Sequence, residues 1–551
     1  MPLPFRQFFV KGSILPFQAP TWQPKSKPGM TYLLLACVLV TAAMQGYDGA
    51  MMGGMNILPQ YTDYFKLTTA TRSLNIATNY IGGCLSTTKA NWAECLCWGW
   101  VTDTYSRRFG LFWSAMITVF AAILQASSQH IAMFCTARVI IGFGTTASVI
   151  SGSAYLAETL PWDQRAWGLA LFDDCFYIGA LTAAGVTYGS FKISSSWAWR
   201  LPSLVQGAWG LLCISLLPWL PESPRWLVDQ GRAYDAIMVL AQVNAGGDTA
   251  DELVRLQFRQ ICETIGYERD PMTCKEAVRN RGARKRLIIT ASCAVISMLT
   301  GNIVFMYNVG KMLSHAGVSD EGTQLLVNVG LNGASLVVSI CGSYYTDKKG
   351  AKSAALISTA GVTVALILLG VLTKFYGDTT YTPGIWATVF AVFLFSISYA
   401  FGWIPILFLM PAQMLYFRIR AKGMSMFSFI ICAVGIAGNF AYPIAIDAVG
   451  YWVYIMNGGW NVLFFAFIWW YWVEVLGKTL EEIDALFDGR KHTDTPNVEA
   501  VVAGREDERW KTSLRAPNSW TKTDTEYPND RSNQQQEQEA TKTNPAMFVD
   551  I

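Results

Sequence analysis

The chain is short of charge. Only 15% of its 551 residues are Asp, Glu, Lys or Arg, against 52% hydrophobic residues and 21 Trp. That balance excludes an ordinary soluble multidomain protein and fits one that crosses a membrane many times. Histidine is scarcer still, with only His130, His315 and His492. No C-x-x-C pair with His partners occurs among the twelve Cys, so no metal is expected. Cys37, Cys84, Cys213, Cys293 and Cys432 fall inside apolar runs, where a thiol acts as a small apolar side chain. No N-x-[ST] acceptor is present, so an outer glycan is not expected. No cleavable leader is evident either. The first roughly 28 residues are Pro-rich and polar, and they read as a flexible cytosolic tail. Nor does any phosphate loop or nucleophile–base pattern stand out. The expectation is no enzyme, no cofactor and no nucleic acid.

What is present is a series of long apolar runs. A helix needs about 20 such residues to span a bilayer. Spans are expected near 31–50, 76–100, 110–127, 131–154, 167–189 and 201–219. A second set follows near 287–308, 323–345, 353–373, 385–409, 423–443 and 453–473. The division is a tail at 1–30, a six-helix bundle at 31–220 and a charged loop with short helices at 221–286. A second bundle at 287–475 and a mostly disordered tail at 476–551, with its Gln534-Gln535-Gln536 run, complete it. The fold class is thus an all-α membrane protein of twelve transmembrane helices in two pseudo-symmetric halves.

Basic residues set the orientation. They gather at Arg107-Arg108, from Arg279 to Arg286, at Lys348-Lys349 and Lys352, and from Arg418 to Lys422. Alternate loops are poorer in them, so both termini and the central loop are expected in the cytosol. The halves also echo one another. Gly99 to Asp103 with Arg107-Arg108 is matched by Gly342 with Asp347-Lys348-Lys349-Gly350. Glu158 with Arg165 is matched by Gln413 with Arg420, and Pro221-Glu222-Ser223 by Glu474 with Gly477-Lys478-Thr479. Two six-span halves with matching motifs are the anatomy of an alternating-access transporter whose site lies at the midplane between them.

The motif set resembles the sugar-porter family of the major facilitator superfamily. It comprises Gly46-Tyr47-Asp48, Gly99-x-x-x-Asp103-x-x-x-Arg107-Arg108, Arg138, Glu158-x-x-Pro161-x-x-x-Arg165, Pro221-Glu222-Ser223-Pro224-Arg225-Trp226-Leu227 and Lys478-Thr479-Leu480-Glu481-Glu482-Ile483. Trp197-x-Trp199-Arg200-x-Pro202-Ser203 and Ser398 to Trp403 further resemble the fungal lactose-permease-like branch. The resemblance implies proton symport of a sugar or sugar-like solute across the plasma membrane by a monomer. It implies that Asp48 is the coupling carboxylate and Arg138 its partner. It also implies a cytosolic network of Asp103, Arg107, Arg108, Glu158, Arg165, Glu222 and Arg225, with Asp347, Arg420 and Glu474 in the second half. That network would tie the inner ends together when the outside is open and break in the opposite state.

Substrate contacts are expected from Asn302, Tyr307 and Trp403. The family's sugar-contacting amide in span five falls at Asp173, beside Asp174. Lys89 and Glu94 are further intramembrane charges, about 140° apart around a helix, so they do not simply pair with each other. Lys89 is expected to neutralise Asp173 or Asp48. Met298 and Ile431-Cys432 stand where polar family residues are usual. Three readings therefore stay open: a bulkier or non-sugar solute, a sugar held by rearranged contacts, or a sensor that binds without turnover.

Overall fold

The computed structural model describes residues 27–87, 97–161, 165–268, 274–315, 317–318, 320–376, 381–415 and 417–474. Lys89, Glu94 and both tails lie outside them. The described residues form helices and no strand. The first half contains α1 (Lys27–Met55), α2 (Pro59–Tyr64), α3 (Thr69–Thr87), α4 (Cys97–Thr104), α5 (Arg107–Ala126), α6 (Ile131–Thr159), α7 (Arg165–Phe191) and α8 (Trp197–Leu216). Four short helices follow: α9 (Pro224–Asp229), α10 (Ala233–Ala245), α11 (Glu252–Glu268) and α12 (Cys274–Arg279). The second half contains α13 (Arg281–Leu299), α14 (Asn302–His315), α15 (Glu321–Lys349), α16 (Ala351–Tyr376), α17 (Thr382–Ile406), α18 (Leu409–Met414), α19 (Phe417–Val449) and α20 (Trp452–Tyr471).

Eight of these helices, among them α1, α5, α6 and α16, are long and apolar enough to cross a membrane. The others in span positions carry more polar side chains. The buried face of α3 includes Ser73, Asn75 and Thr78, and α7 holds Asp173 and Asp174. Two expected spans differ in outline. Span two, read at 76–100, begins seven residues earlier, at Thr69. Span seven, read as one run at 287–308, is broken between α13 and α14. Gly301 sits there at φ +113°, a conformation that side-chain-bearing residues rarely adopt, so the helix cannot continue through it.

Local chemistry sets several ends. Ser106 caps α5 by accepting from the Phe109 amide at 3.0 Å, and Ser223 caps α9 through Trp226 at 3.2 Å. Asp320 caps α15 through the Thr323 amide at 2.7 Å. Within the first half α1 and α7 cross almost backbone to backbone. A Cβ built on Gly46 would lie 1.8 Å from the Phe176 carbonyl oxygen, and one on Gly179 would lie 1.9 Å from that of Ala43. This is the small-residue packing that membrane helices use to approach closely. The halves meet along three seams, α1 with α14, α7 with α15, and α3 with α19. A central cavity lies between the seams.

Candidate functional site

The cavity holds about 190 Å³ and takes its wall from both halves. On α1 the wall runs from Ala42 to Ala50, on α6 from Thr145 to Ile150, and on α7 from Phe172 to Ala180. The second half contributes Met298, Asn302, Phe305 to Tyr307, Asn328, Asn332, Phe395, Ser396 and Tyr399, together with Phe408, Ile431 and Cys432. The expected contacts Asp48, Asp173, Asn302 and Tyr307 are thus brought to one wall. Trp403 is not. It is fully buried and meets Trp472 edge-on, with ring centroids 6.2 Å apart. At this depth the wall follows Tyr399 and Ile404, and the position between them turns into the packed core.

Asp48 and Arg138 form an ion pair with side chains 2% and 0% exposed. Gln206 on α8 adds a second donor, its Nε2 lying 2.8 Å from Asp48 Oδ1. Three helices, α1, α6 and α8, therefore converge on one carboxylate. Sequence reasoning missed Gln206, although an amide in the middle of an apolar span was the available signal. Arg138 keeps Nε and Nη2 without a partner among the described residues. A buried guanidinium so poorly satisfied depends heavily on its one counter-charge.

Asp173 is 6% exposed, and one contact reaches it: the Phe408 amide, 3.4 Å from Oδ2. Its neighbour Asp174 points to the α7–α15 seam, where Ser343 of the other half donates at 2.7 Å. Neither carboxylate has an ion-pair partner among the described residues. The expected partner Lys89 lies outside those residues.

One face of the bundle is closed above this cavity. Tyr307 forms part of its roof and also lines a second, polar vestibule with Asn56, Arg72 and Lys311. Across the seam Tyr80 and Tyr307 place their hydroxyls 3.2 Å apart, and Asn56 Nδ2 donates to the Tyr307 carbonyl at 3.4 Å. Further out, Asp447 accepts from Lys311 at 2.8 Å and from Thr69, in the other half, at 3.1 Å. None of these contacts was foreseen, because each joins residues far apart in the chain.

The charged motifs occupy the opposite face. Arg107 grips Glu158 through two bonds of 2.9 and 3.0 Å and reaches Asp103 at 2.9 Å. Ser223 donates to Glu158, while Glu222 accepts from the Arg108 and Ser223 amides at 3.5 and 3.0 Å. Arg225 lies within electrostatic reach of Glu158. In the second half Glu474 accepts from the Lys352 amide at 3.1 Å, and Lys352 Nζ donates to the Trp472 carbonyl at 2.7 Å. Asp347 is exposed and pairs with no described residue. The Arg165 and Arg420 side chains lie outside what is described. Each of these bonds stays within one half.

Two helical halves around a midplane cavity, closed on one face, define a multi-pass membrane transporter of the major facilitator fold. The xylose symporter XylE bound to 6-bromo-6-deoxy-D-glucose matches with TM-score 0.68 at 19% identity, covering 84% of this chain and 100% of that one. XylE from E. coli in its inward-open form matches with TM-score 0.64, also at 19% identity, covering 83% and 100%. The chain belongs to the family described as Sugar (and other) transporter, whose model matches residues 34–487. Among its relatives, the MFS-type transporter criB of Aspergillus cristatus is 25% identical, covering 83% of this chain and 94% of that one. Hexose transporter 2 of Kluyveromyces lactis is 26% identical over 70% of each. The protein is a transporter and not an enzyme.

Proposed function

We propose that the protein is a proton-coupled secondary transporter. It carries a sugar or sugar-like solute across the plasma membrane, with the motif-bearing face and both termini in the cytosol. The observation that carries this reading is the buried Asp48–Arg138 pair on the wall of the central cavity. Ionisable side chains inside a membrane are costly, and those that persist generally serve a solute or proton path. The excess of Lys and Arg on the motif face supports the orientation. The named relatives include a hexose transporter, and XylE is a proton:xylose symporter.

The chemistry follows from the geometry. While Asp48 is ionised, Arg138 and Gln206 hold α1 against α6 and α8. A proton arriving through the cavity neutralises the carboxylate and removes the counter-charge of Arg138. The α1 helix is then released from its tether. Because Asn56 follows directly on the last residue of α1, movement of α1 loosens the Asn56–Tyr307 contact that shuts the far face. Solute and proton thus bias one two-state element.

The test is uptake in cells lacking their own hexose and disaccharide carriers, with a panel of labelled sugars and external pH recorded. Uptake with alkalinisation, abolished by Asp48→Asn, is expected. Silence across the panel with protein at the cell surface overturns it. A second reading, a bulkier and less polar solute, rests on Met298, Phe408, Ile431 and Cys432, which give the wall its apolar stretches.

A further inference from the structure

The cavity wall carries two carboxylates in unlike circumstances. Asp48 is matched by Arg138 and Gln206. Asp173 has one long backbone contact, and no Lys, Arg or His stands among the described wall residues. Its sequence neighbour makes matters worse, since Asp174 adds a second buried carboxyl behind it. A carboxylate held in such surroundings without a cation is strongly disfavoured. Something that enters the cavity can supply what the protein leaves out.

The rest of the wall narrows the chemistry. Phe172, Phe176, Tyr177 and Phe408 present aromatic surface near Asp173, on its own helix or on the turn that donates to it. Aromatic faces attract cations and do nothing for anions. Across the cavity Gln45, Asn302, Asn328 and Asn332 offer donors and acceptors suited to hydroxyl groups. An anionic solute meets two carboxylates and no exposed base. A purely apolar cation leaves the amides unused. The two sets together fit one molecule, a polyol with a protonated nitrogen.

We infer that the site takes an amino or imino sugar, or a comparable hydroxylated amine, whose ammonium group pairs with Asp173 while its hydroxyls meet the amides. This rests on the transport reading and narrows its substrate class. It also assigns Asp173 a specificity role separate from that of Asp48. Asp48 already has its cation, so the selectivity for charge falls to Asp173.

The experiment uses the purified full chain at about pH 6. Calorimetry compares D-glucose with 2-amino-2-deoxy-D-glucose, 6-amino-6-deoxy-D-glucose and 1-deoxynojirimycin. At least one amine is expected to bind about tenfold to a hundredfold more tightly than glucose, the range of a hydrogen bond to a charged group. Asp173→Asn should bring that ratio to within about twofold, and Asp173→Glu should keep the preference. Equal or weaker binding of every amine by the native protein overturns the inference. So does an amine preference that survives Asp173→Asn. Since the native protein alone can give the overturning result, a misfolded variant does not shield the idea. Vesicle uptake separates the two readings. Selective amine binding without uptake of any compound leaves this inference standing and removes the transport reading. Uptake of glucose without amine preference does the reverse.

Discussion

Glu474 accepts a hydrogen bond from the backbone amide of Lys352, 3.1 Å away, on the first turn of α16. In the other half Glu222 accepts from the Arg108 amide, at 3.5 Å, on the first turn of α5. The residue after the sixth span and the residue after the twelfth thus do the same job. Each places an anion at the N-terminus of its half's third span, where the helix dipole and the unpaired amides favour it. The sequence echo between Pro221-Glu222-Ser223 and Glu474 is therefore a matched pair of interhelix staples. Glu474→Ala is expected to lower stability by about 1 kcal/mol, the usual worth of a cap, and Glu474→Gln by less because it still accepts. Thermal unfolding of the detergent-solubilised protein checks the order native, Gln, Ala.

Removing either member of the buried pair should not be equivalent. Arg138→Ala strands the Asp48 carboxylate with only Gln206 for company, and such breaks cost about 3–5 kcal/mol. Asp48→Asn keeps an acceptor for Gln206 but leaves Arg138 charged and buried. The double variant Asp48→Asn with Arg138→Ala is expected to be more stable than the sum of the single losses predicts. Unfolding midpoints of the three variants test this, and strict additivity would count against a direct pair.

Much of this was legible in the chain because a bilayer imposes simple rules. Twenty apolar residues in a row announce a helix, so the framework from α5 to α8 and from α15 to α20 followed closely. The family resemblance implied Asp48 and Arg138 as partners, and the structure brings them together across 90 residues. Contacts that join the two halves carried no such signal. Tyr80 with Tyr307 and Asp174 with Ser343 join spans from opposite halves, and nothing in periodicity specifies that register. The place of Trp403 was hidden for a related reason. Aromatic bulk is as useful in a core as on a cavity wall, and only packing decides which face of α17 it takes.

The close crossing of α1 and α7 yields a comparison within one helix. Gly179→Ala would place a methyl 1.9 Å from the Ala43 carbonyl oxygen, so the two backbones must part. A loss of about 1–3 kcal/mol or more is expected from such overpacking. Gly185→Ala, six residues further along, meets no heavy atom within 4 Å. There the better helix propensity of Ala should leave stability unchanged or raise it by up to about 1 kcal/mol. Identical chemistry with opposite outcomes, read from unfolding midpoints, would confirm that the crossing depends on position and not on composition.

Asp447 offers the most direct handle on the closed face. Its two oxygens hold Lys311 on α14 and Thr69 on α3, so one side chain on α19 spans the seam between halves. The side chains of Asp447 and Lys311 are 46% and 23% exposed. An ion pair so open to solvent contributes only about 0.2–1 kcal/mol. That is small for stability and large enough for a balance between two conformations, where 1 kcal/mol shifts the ratio about fivefold. Asp447→Asn should therefore leave the unfolding midpoint nearly unchanged while opening this face more often. A cysteine placed at Ala50, on the cavity wall behind the latch, reports the opening through its labelling rate with a membrane-impermeant maleimide. Labelling should rise by up to about fivefold in the Asp447→Asn background, and added salt should raise it slightly in the Asp447 parent, since screening weakens the parent's own pair. An unchanged rate would show that Asn56, Tyr80 and Tyr307 hold the face shut without help from Asp447.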